Sequence, residues 1–593
     1  MRVTVLNEIP EDPDLSEAWN NLVLAMDTPE VFLTYQWALA ASRGFQQNLS
    51  ALLVLMYEAE QLIGVAALAV DPKAPRAAFF LTSSTADYCD IVSAPANRRT
   101  VLVALLEEIQ KRGLSDLVLA NVPANSATLK ELPGVAGASH FYVASRTAYN
   151  CGVVQLGGEE ERETLLRDIA SRGREKRALK KLSTLGAVKV IHLTEPEQIG
   201  TSLESIVSAQ ISRFLASNRV SPLVGSERRT FLAQLSELLS ESGWLKISQL
   251  EIDGRPVAWN FGFRFGGSWF WYLPTFQPEF EHVSPGSCLL RLLVEEGAKD
   301  ASLQWLDLGL GDEPYKDRYV NNTRQTRYVH LSRGLRRHVA TVGRQIVSIG
   351  ATRFPQVAAR LRGARDFCQS IVRQRSTGVS AMTREAFRKA SRLIASDDEV
   401  LVFEFESKFS GEARFELLPL TREHLVEASI SYAGDAESLN YLMKCARRLK
   451  SPGTSGFLLQ DEQGRPVHFL WIDAYDGFRL IDIDHTIEPL SPRGAMIFDG
   501  WTPAAQRGRG YFAAAIRQTA DHLRGEGRTA WIFSVAGNAA SLRGILNGGF
   551  VYRFSLIRHG RFTRSIVTRR DTTTAIPLRQ LPELAANVLE KTG

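Results

Sequence analysis

Hydrophobic positions along this chain fall at two spacings, and the switches between them outline its elements. Ser16–Leu24, Tyr35–Ala41 and Val101–Ile109 carry apolar residues three and four apart, which predicts amphipathic helices. Leu52–Tyr57, Leu62–Val70 and Asp116–Ala120 are short apolar runs that predict strands. Residues 1–155 thus mix helix and strand as an α/β or α+β domain does. From 156 the pattern begins again. Arg172–Leu182 is a basic amphipathic helix, and Leu245–Ile252, Arg255–Arg264 and Ser268–Leu273 form a strand meander turned by Asp253-Gly254 and Gly266-Gly267. Ser284–Ser287 opens the helix Leu289–Glu296, and Leu303–Leu308 is a further strand, which completes a second unit over 156–332.

Between 333 and 395 the strands stop. Arg333, Arg336, Arg337, Arg360, Arg362, Arg365, Arg373 and Arg375 make this stretch basic, with helical periodicity. It predicts a helical linker with a solvated or partner-contacting face, and 333–375 would also suit peripheral contact with anionic lipid or a polyanion. Strands resume in a last unit over 396–593, with runs at Val400–Glu406, Arg414–Leu418 and a hairpin of Gly456–Gln460 and Val467–Ile472. The shared texture of the three units suggests related modules.

Composition changes this picture in three places. At 593 residues the chain is too long for one core, so several domains are expected. Seventy Lys and Arg stand against 65 Asp and Glu, so total charge gives no reason to expect nucleic acid as a partner. Cys89, Cys151, Cys288, Cys368 and Cys445 have no paired spacing, which predicts no metal site or disulfide framework and fits a reducing compartment. Glu8, Glu11, Asp12 and Asp14 follow the first few residues where a signal peptide would be apolar, and no window approaches the ~18–20 apolar residues of a membrane span. A cytoplasmic location is expected.

Chemistry concentrates in two segments. Residues 501–516 read as a strand end, a basic glycine loop and an alanine-rich helix. Such a loop aims unpaired N–H groups at an anion, with Gly508 and Gly510 permitting close approach and Arg507 and Arg509 adding charge. A second strand, Thr529–Val535, leads to Asn538, Ser541 and Gly549-Phe550. The other segment is Asp307-Leu-Gly-Leu-Gly-Asp-Glu-Pro-Tyr-Lys316, where Asp312, Glu313, Tyr315 and Lys316 crowd a charged turn and short helix. A carboxylate beside a tyrosine and a lysine can act as general base or acid, and a salt-bridged helix cap is the plainer alternative.

The 501–550 segment resembles the acyl-CoA-binding core of the GNAT superfamily, with Arg507 and Gly510 on its loop pattern and Phe512 where that pattern has a small residue. By that likeness Arg507, Gly508, Arg509 and Gly510 hold the CoA pyrophosphate, and Asn538 and Ser541 lie near its pantetheine arm. Residues 1–332 are similar to the CelD/BcsL group of acetyltransferases, whose domain is BioF2-like. The likeness rests on Trp19, Phe32 to Trp37, Asp87-Tyr-Cys-Asp90, Arg174–Leu182, Ser208–Arg213, Ser284–Ser287 and above all Asp307–Lys316. The resemblance implies tandem GNAT-like modules of α/β (α+β) class, a FemABX-like pair at 1–155 and 156–332, with a third GNAT-like module at 396–593.

It further implies an acyltransferase that moves an acyl group, acetyl in the simplest case, from acyl-CoA. Acceptors would be an amine or hydroxyl on a sugar, an exopolysaccharide or cell-envelope precursor, or a small metabolite. Ser284, Gly286 and Ser287 would meet the CoA phosphates, while Arg213, Trp259 and Asn260 would line the acceptor cleft. Ser284 as an ordinary helix cap and Trp259 as a packed sheet residue remain open alternatives. Asp312 and Glu313 are the base candidates, Tyr315 an acid or donor, and Lys316 a charge partner. In the last unit His485, beside Asp482 and Asp484, is the further catalytic candidate, because histidine is the side chain suited to proton transfer at neutral pH, and a satisfied structural histidine is the plainer alternative. Two other readings stand beside this one. Aminoacyl transfer from charged tRNA would use the basic helix and linker, and a scaffold role would follow if Phe512 closes the C-terminal loop.

Overall fold

The computed structural model describes residues 1–311, 313–343, 395–406, 415–451, 453–488, 493–561 and 564–571. Asp312, Cys368 and the basic stretch from 344 to 394 lie outside the described residues, and with them most of the expected helical linker. Two compact units divide the chain, Met1–Arg213 with Ser221–Arg360, and Phe214–Val220 with Leu361–Gly593.

The first unit is built on one twelve-stranded sheet. Its strands are β1 (Arg2–Leu6), β2 (Ser50–Glu58), β3 (Gln61–Val70), β4 (Ala77–Phe80), β5 (Asp116–Pro123), β6 (Tyr142–Gln155), β7 (Val188–Leu193), β8 (Leu245–Ile252), β9 (Arg255–Phe265), β10 (Ser268–Phe276), β11 (Trp305–Leu310) and β12 (Asn322–Ser332). Among its helices are α1 (Pro13–Leu24), α2 (Tyr35–Phe45), α3 (Arg98–Lys111), α4 (Ala127–Ala138), α5 (Glu159–Ser171), α6 (Gly173–Ser183), α7 (Pro196–Ala216), α8 (Ser226–Glu241) and α9 (Pro285–Lys299). The short helix expected within Asp307–Lys316 is instead a turn. Pro314 takes no part in a helical ladder, because it has no N–H to donate.

Sheet order is β1-β2-β3-β4-β5-β12-β6-β11-β10-β9-β8-β7. Two modules therefore run inward from opposite edges and exchange strands at the centre. β12, last in sequence, lies between β5 and β6 of the first module, while β6 lies between β11 and β12 of the second. In each module the first four strands are antiparallel, and the fourth and fifth, β4 with β5 and β10 with β11, are parallel.

Where the two modules meet, aromatic side chains from both interlock. Phe32 meets Phe270 edge-on at 5.3 Å, and Trp37 meets Phe263 at 5.2 Å. Such pairs add about 0.5–1.5 kcal/mol each beyond the area they bury. The Phe32 to Trp37 stretch thus fastens the first module to the second, with Thr34 capping α2 through the Trp37 N–H.

The second unit repeats the plan. Its strands are β13 (Ala395–Phe405), β14 (Leu417–Pro419), β15 (Ser455–Gln460), β16 (Pro466–Ala474), β17 (Arg479–Leu480), β18 (His485–Thr486), β19 (Gly494–Trp501), β20 (Thr529–Val535), β21 (Phe550–Arg561) and β22 (Arg564–Asp571). Its helices include α10 (Arg422–Ser431), α11 (Ala436–Arg448), α12 (Tyr511–Gly525) and α13 (Ala539–Asn547). The order β14-β15-β16-β19-β20-β13-β21-β22 matches the second module strand for strand if β13 takes the part of β6 and β21 that of β12. Again the fourth and fifth strands, β19 and β20, are the parallel pair.

Candidate active site

Parallel pairing fails part-way along each fourth and fifth strand, and that failure makes a cleft. β10 and β11 pair from Ser268 with Trp305 to Phe270 with Asp307. Beyond that point β10 follows β9, while Leu310 of β11 pairs with Cys151 of β6. β19 and β20 separate after Ile497 and Ile532 in the same way. Carbonyls and N–H groups that face each other across such a gap no longer satisfy one another, so a polar guest suits it.

A carboxylate from the first module occupies the gap between β10 and β11. Gly309 has φ 71°, and a Cβ built there would lie 2.5 Å from Asp87 Oδ2 and 3.6 Å from the Trp271 carbonyl. Glycine at 309 therefore both permits the turn and makes room for Asp87. Behind Asp87 lies a polar cluster. The Tyr88 hydroxyl donates to Asp307 Oδ2 at 2.8 Å, Arg324 donates to the same oxygen at 3.1 Å, and Arg324 also grips Glu30. The guanidinium lies 4.3 Å from the Tyr88 ring centroid. Lys316, buried, donates to the Leu310 carbonyl at 2.9 Å and pairs with the exposed Glu313 at 2.6 Å.

Glu30, Asp87 and Asp307 thus gather around Arg324 and Lys316, and Lys316 is also paired with the exposed Glu313. The carboxyls outnumber the cations, which favours a retained proton. Burial raises the Asp87 carboxyl to about 7, helped by the neighbouring Asp307 charge and opposed by Lys316. Burial likewise raises Glu30 to about 7 against the pull of Arg324. Asp87 is half-buried while Asp307 is fully buried, so of these two Asp87 is the one open to exchange a proton with a ligand. The nearby thiols are inert. Burial pushes Cys89 and Cys151 up to about 12.

The residues expected from the sequence distribute unevenly. Tyr315 is half-buried and accepts the Trp271 Nε1–H at 3.2 Å, which leaves its own proton to donate. Arg213 reaches the Pro274 carbonyl at 3.3 Å and lies 5.4 Å from the Phe276 ring, on which Gly286 also rests. Ser284 is exposed, adopts φ 54° and makes no side-chain cap, so it is not the ordinary helix cap that sequence also allowed. Its carbonyl accepts the N–H groups of Ser287 and Cys288. α6 packs on the turn that leads into α9, and it exposes Arg174, Lys176, Arg177, Lys180 and Lys181. Trp259 is a core residue bonded to Gln249 at 2.7 Å, and buried Asn260 donates to the Phe270 carbonyl at 3.2 Å. Neither faces an open cleft. Asp312 lies outside the described residues.

The corresponding loop of the first module is filled by protein. Arg98, the first residue of α3 and fully buried, donates to the Ile91 and Ser93 carbonyls and pairs with Asp90 at 3.3 Å. Its guanidinium is thus committed to the loop's own carbonyls and to Asp90.

In the second unit, Gly508 (φ 80°) and Gly510 (φ 82°) lead into α12, which has no side-chain cap. From Gly508 to Ala513 the backbone N–H groups find no acceptor among the described residues. Beside them is a cavity of about 740 Å³, lined by the loop together with His468, Phe512, Asn538 and Ser541. Arg507 is engaged with Glu437 at 3.0 Å and with the Thr502 carbonyl, while Arg509 has no partner among the described residues. Asn538 caps α13 through the Ser541 N–H at 3.1 Å. His485 sits on β18, paired with Leu480 of β17, and is not among the residues lining this cavity. Sequence reasoning passed over His468. It is buried, its Nδ1 lies 2.8 Å from Thr502 Oγ1, and burial holds its imidazole down at about 3.

Residues 170–317 match the family model of the Acetyltransferase (GNAT) domain. That span runs from α6 to the Asp307–Lys316 turn and so contains the β10–β11 cleft. The fold is one of tandem GNAT-like modules in mixed α/β arrangement. No curated protein matches the chain in sequence. Among solved structures, FemX is similar at 10% identity and a TM-score of 0.39, over 56% of this chain and 97% of that one. A tandem GNAT protein from the clavulanic acid biosynthesis pathway is similar at 11% identity and 0.31, over 55% and 98%. A conserved protein of unknown function from Bacteroides thetaiotaomicron gives 12% and 0.38, over 56% and 100%. None of the described helices is long and apolar enough to cross a membrane. Among the described residues no group of three or more His, Cys, Asp or Glu is placed to hold a metal ion.

Proposed function

We propose that the chain transfers an acyl group from acyl-CoA to an amine or hydroxyl, and that the chemistry takes place where β10 and β11 part. One observation carries this reading: the first module delivers the Asp87 carboxyl into the strand gap of the GNAT domain. The N-terminus of α9, which has no side-chain cap and leaves the Gly286 N–H open, suits the CoA phosphates together with the exposed cations of α6 nearby. The Gly286 N–H and the Ser287 hydroxyl would lie against them. Bound acyl-CoA would supply the activated thioester carbonyl.

Asp87 Oδ2 would take the proton that the acceptor nitrogen or oxygen loses as it attacks, a role that a carboxyl near 7 performs well at neutral pH. The Tyr315 hydroxyl, oriented by Trp271, would return a proton to the departing sulfur. Arg324 and Tyr88 fix Asp307 behind Asp87, and Lys316 adds a positive charge that acts on Asp87. A saccharide or cell-envelope acceptor is the preferred class, on the motif likeness of residues 1–332 to the CelD/BcsL group, and acetyl is the preferred acyl group. A cytoplasmic setting supplies such a donor.

Hydrogen–deuterium exchange on the full chain tests the reading. Acetyl-CoA is expected to slow exchange in peptides covering 277–288 and 307–311. A saturating ligand that protects neither would sink it.

A further inference from the structure

Close packing of α2 against α8 leaves a recess at the seam between the first two modules. A Cβ on Gly44 would lie 2.7 Å from Phe231 Cβ, so the two helices touch where that glycine stands. Arg43 donates to Gln234 Oε1 at 2.7 Å, and Asn48, just past α2, donates to Glu227 Oε1 at 2.8 Å. These contacts hold the walls of the recess at a fixed distance. It measures about 330 Å³. Phe45, Asn48 and Ser84 line it from the first module, and Gly225, Glu227 and Arg228 from the second.

The lining is aromatic on one side and polar on the others, a composition typical of small-molecule sites. Phe45 is half-buried and offers a ring face on which the C–H side of a sugar can rest. Asn48 and Ser84 offer an amide and a hydroxyl. The Glu227 charge is already met by its own N–H, by Asn48 and by the Ser226 hydroxyl, which together hold its carboxyl below the usual range. Arg228 differs. Its Nη1 is buried without a hydrogen-bond partner, and no ion pair holds the guanidinium among the described residues. A buried cationic donor left unmade is costly, and an anionic oxygen relieves it.

A fixed turn joins this recess to the reaction centre. The N–H groups of Thr85 and Ala86 both donate to the Thr82 carbonyl. The Thr85 hydroxyl accepts the Trp37 Nε1–H at 3.0 Å, and the Thr85 carbonyl accepts the Tyr272 hydroxyl at 2.6 Å. Ser84 in the recess and Asp87 in the strand gap are therefore held no more than about 11 Å apart along the chain. Burial raises the Tyr272 phenol, with the Arg228 charge opposing and the Asp87 charge adding, so one phenol lies within reach of both.

We infer that this recess is an acceptor subsite selective for acidic saccharides: Arg228 grips a carboxylate or phosphate on the sugar while the sugar's amine or hydroxyl lies at Asp87. Arg228 makes and breaks no bond in the transfer and acts on acceptor affinity alone. The inference rests on the placing of the chemistry at β10–β11, and it narrows the acceptor from saccharides at large to those that carry an anionic group.

Peptide-resolved hydrogen–deuterium exchange on the full chain tests it, titrated separately with glucosamine, glucosamine 6-phosphate and glucuronate. At least one of the two acidic sugars is expected to protect 45–48, 84–86 and 222–228 with a midpoint about tenfold or more below that of glucosamine. An advantage confined to glucosamine 6-phosphate identifies the group as phosphate, and one confined to glucuronate as carboxylate. In Arg228→Gln the advantage is expected to shrink to within about twofold. Equal midpoints for all three sugars in the wild type would overturn the inference, and so would an advantage that survives in the variant. Absence of protection at these peptides by any of the three would overturn it too. If the variant does not fold, the wild-type comparison decides alone. None of these readouts needs acyl transfer, and peptides 277–288 titrated with acetyl-CoA report the donor site, so the two readings fail separately.

Discussion

Replacing Asp87 by Asn removes one ionisable oxygen and keeps the shape. The native carboxyl is raised from 3.8 to about 7, chiefly by burial and then by Asp307. Three units correspond to about 4 kcal/mol at about 1.4 kcal/mol per unit, an upper bound because Asp87 is partly open to solvent and shares its field with Glu30 and Lys316. The sign follows from proton counts. A carboxyl with a raised folded value keeps its proton in the native state after the unfolded chain has lost it. Its stabilisation is complete below about pH 4 and is lost as pH rises through about 7.

Urea unfolding at about pH 5 and about pH 8 should show the wild type losing up to about 3 kcal/mol that Asp87→Asn does not lose. Activity should respond in the opposite sense. The wild-type rate is expected to climb with pH through about 7 as the base ionises, and the variant to lose about 10²–10⁴ in kcat with that limb abolished. A variant with full kcat and an unchanged ascending limb would refute the assignment, whatever its stability.

Two further outcomes are expected. Arg324→Met leaves Glu30 and Asp307 buried without their cation and should cost about 3–5 kcal/mol in urea unfolding of the first unit at neutral pH. The folded His468 value is depressed by burial from 6.5 to about 3, so the second unit should lose stability as pH falls below about 6.5, by at most about 1.4 kcal/mol per pH unit. His468→Gln should flatten that slope in thermal unfolding between about pH 6.5 and about pH 4, and an unchanged slope would mean another group carries it.

Local pattern carried most elements. The strand meander Leu245–Phe276, the helix opened at Pro285 and the hairpin around Asp461–Pro466 were legible because each depends on neighbours a few residues apart. The Gly508 and Gly510 loop was legible for the same reason. What sequence could not place is long-range pairing. Insertion of β12 between β5 and β6 joins residues almost two hundred positions apart, such as Leu331 with Val143. The contact of Asp87 with Gly309 spans a still longer interval. The two motifs are far apart in the chain, and in sequence Glu313 and Asp312 are the natural base candidates because they sit beside Tyr315 and Lys316. Geometry instead leaves Glu313 exposed as a partner of Lys316 and turns Asp87 into the gap. Family likeness places Asn538 near a pantetheine arm, and in the fold its side chain is bonded to its own helix. His468 is not legible from sequence, since one histidine on an apolar strand reads as core until the loop beside it is folded.

The same module plan occurs three times, and the residues that meet each loop decide what each copy can do. At α3 a buried Arg98 ties the preceding loop together through the Ser93 carbonyl and Asp90. At α9 the helix end is uncapped, and the neighbouring strand gap holds a carboxyl that exchanges protons near neutral pH. At α12 the N–H groups are open, and the Phe512 ring packs between Gly500 and Gly544. A proton-handling group, an open anion site and an unobstructed path are all required for acyl transfer from a long thioester. Only the second copy combines the first two without a ring such as Phe512 at the matching place, where Gly286 and Ser287 follow Pro285. Catalysis is therefore expected to reside at β10–β11, with the first copy supplying its base.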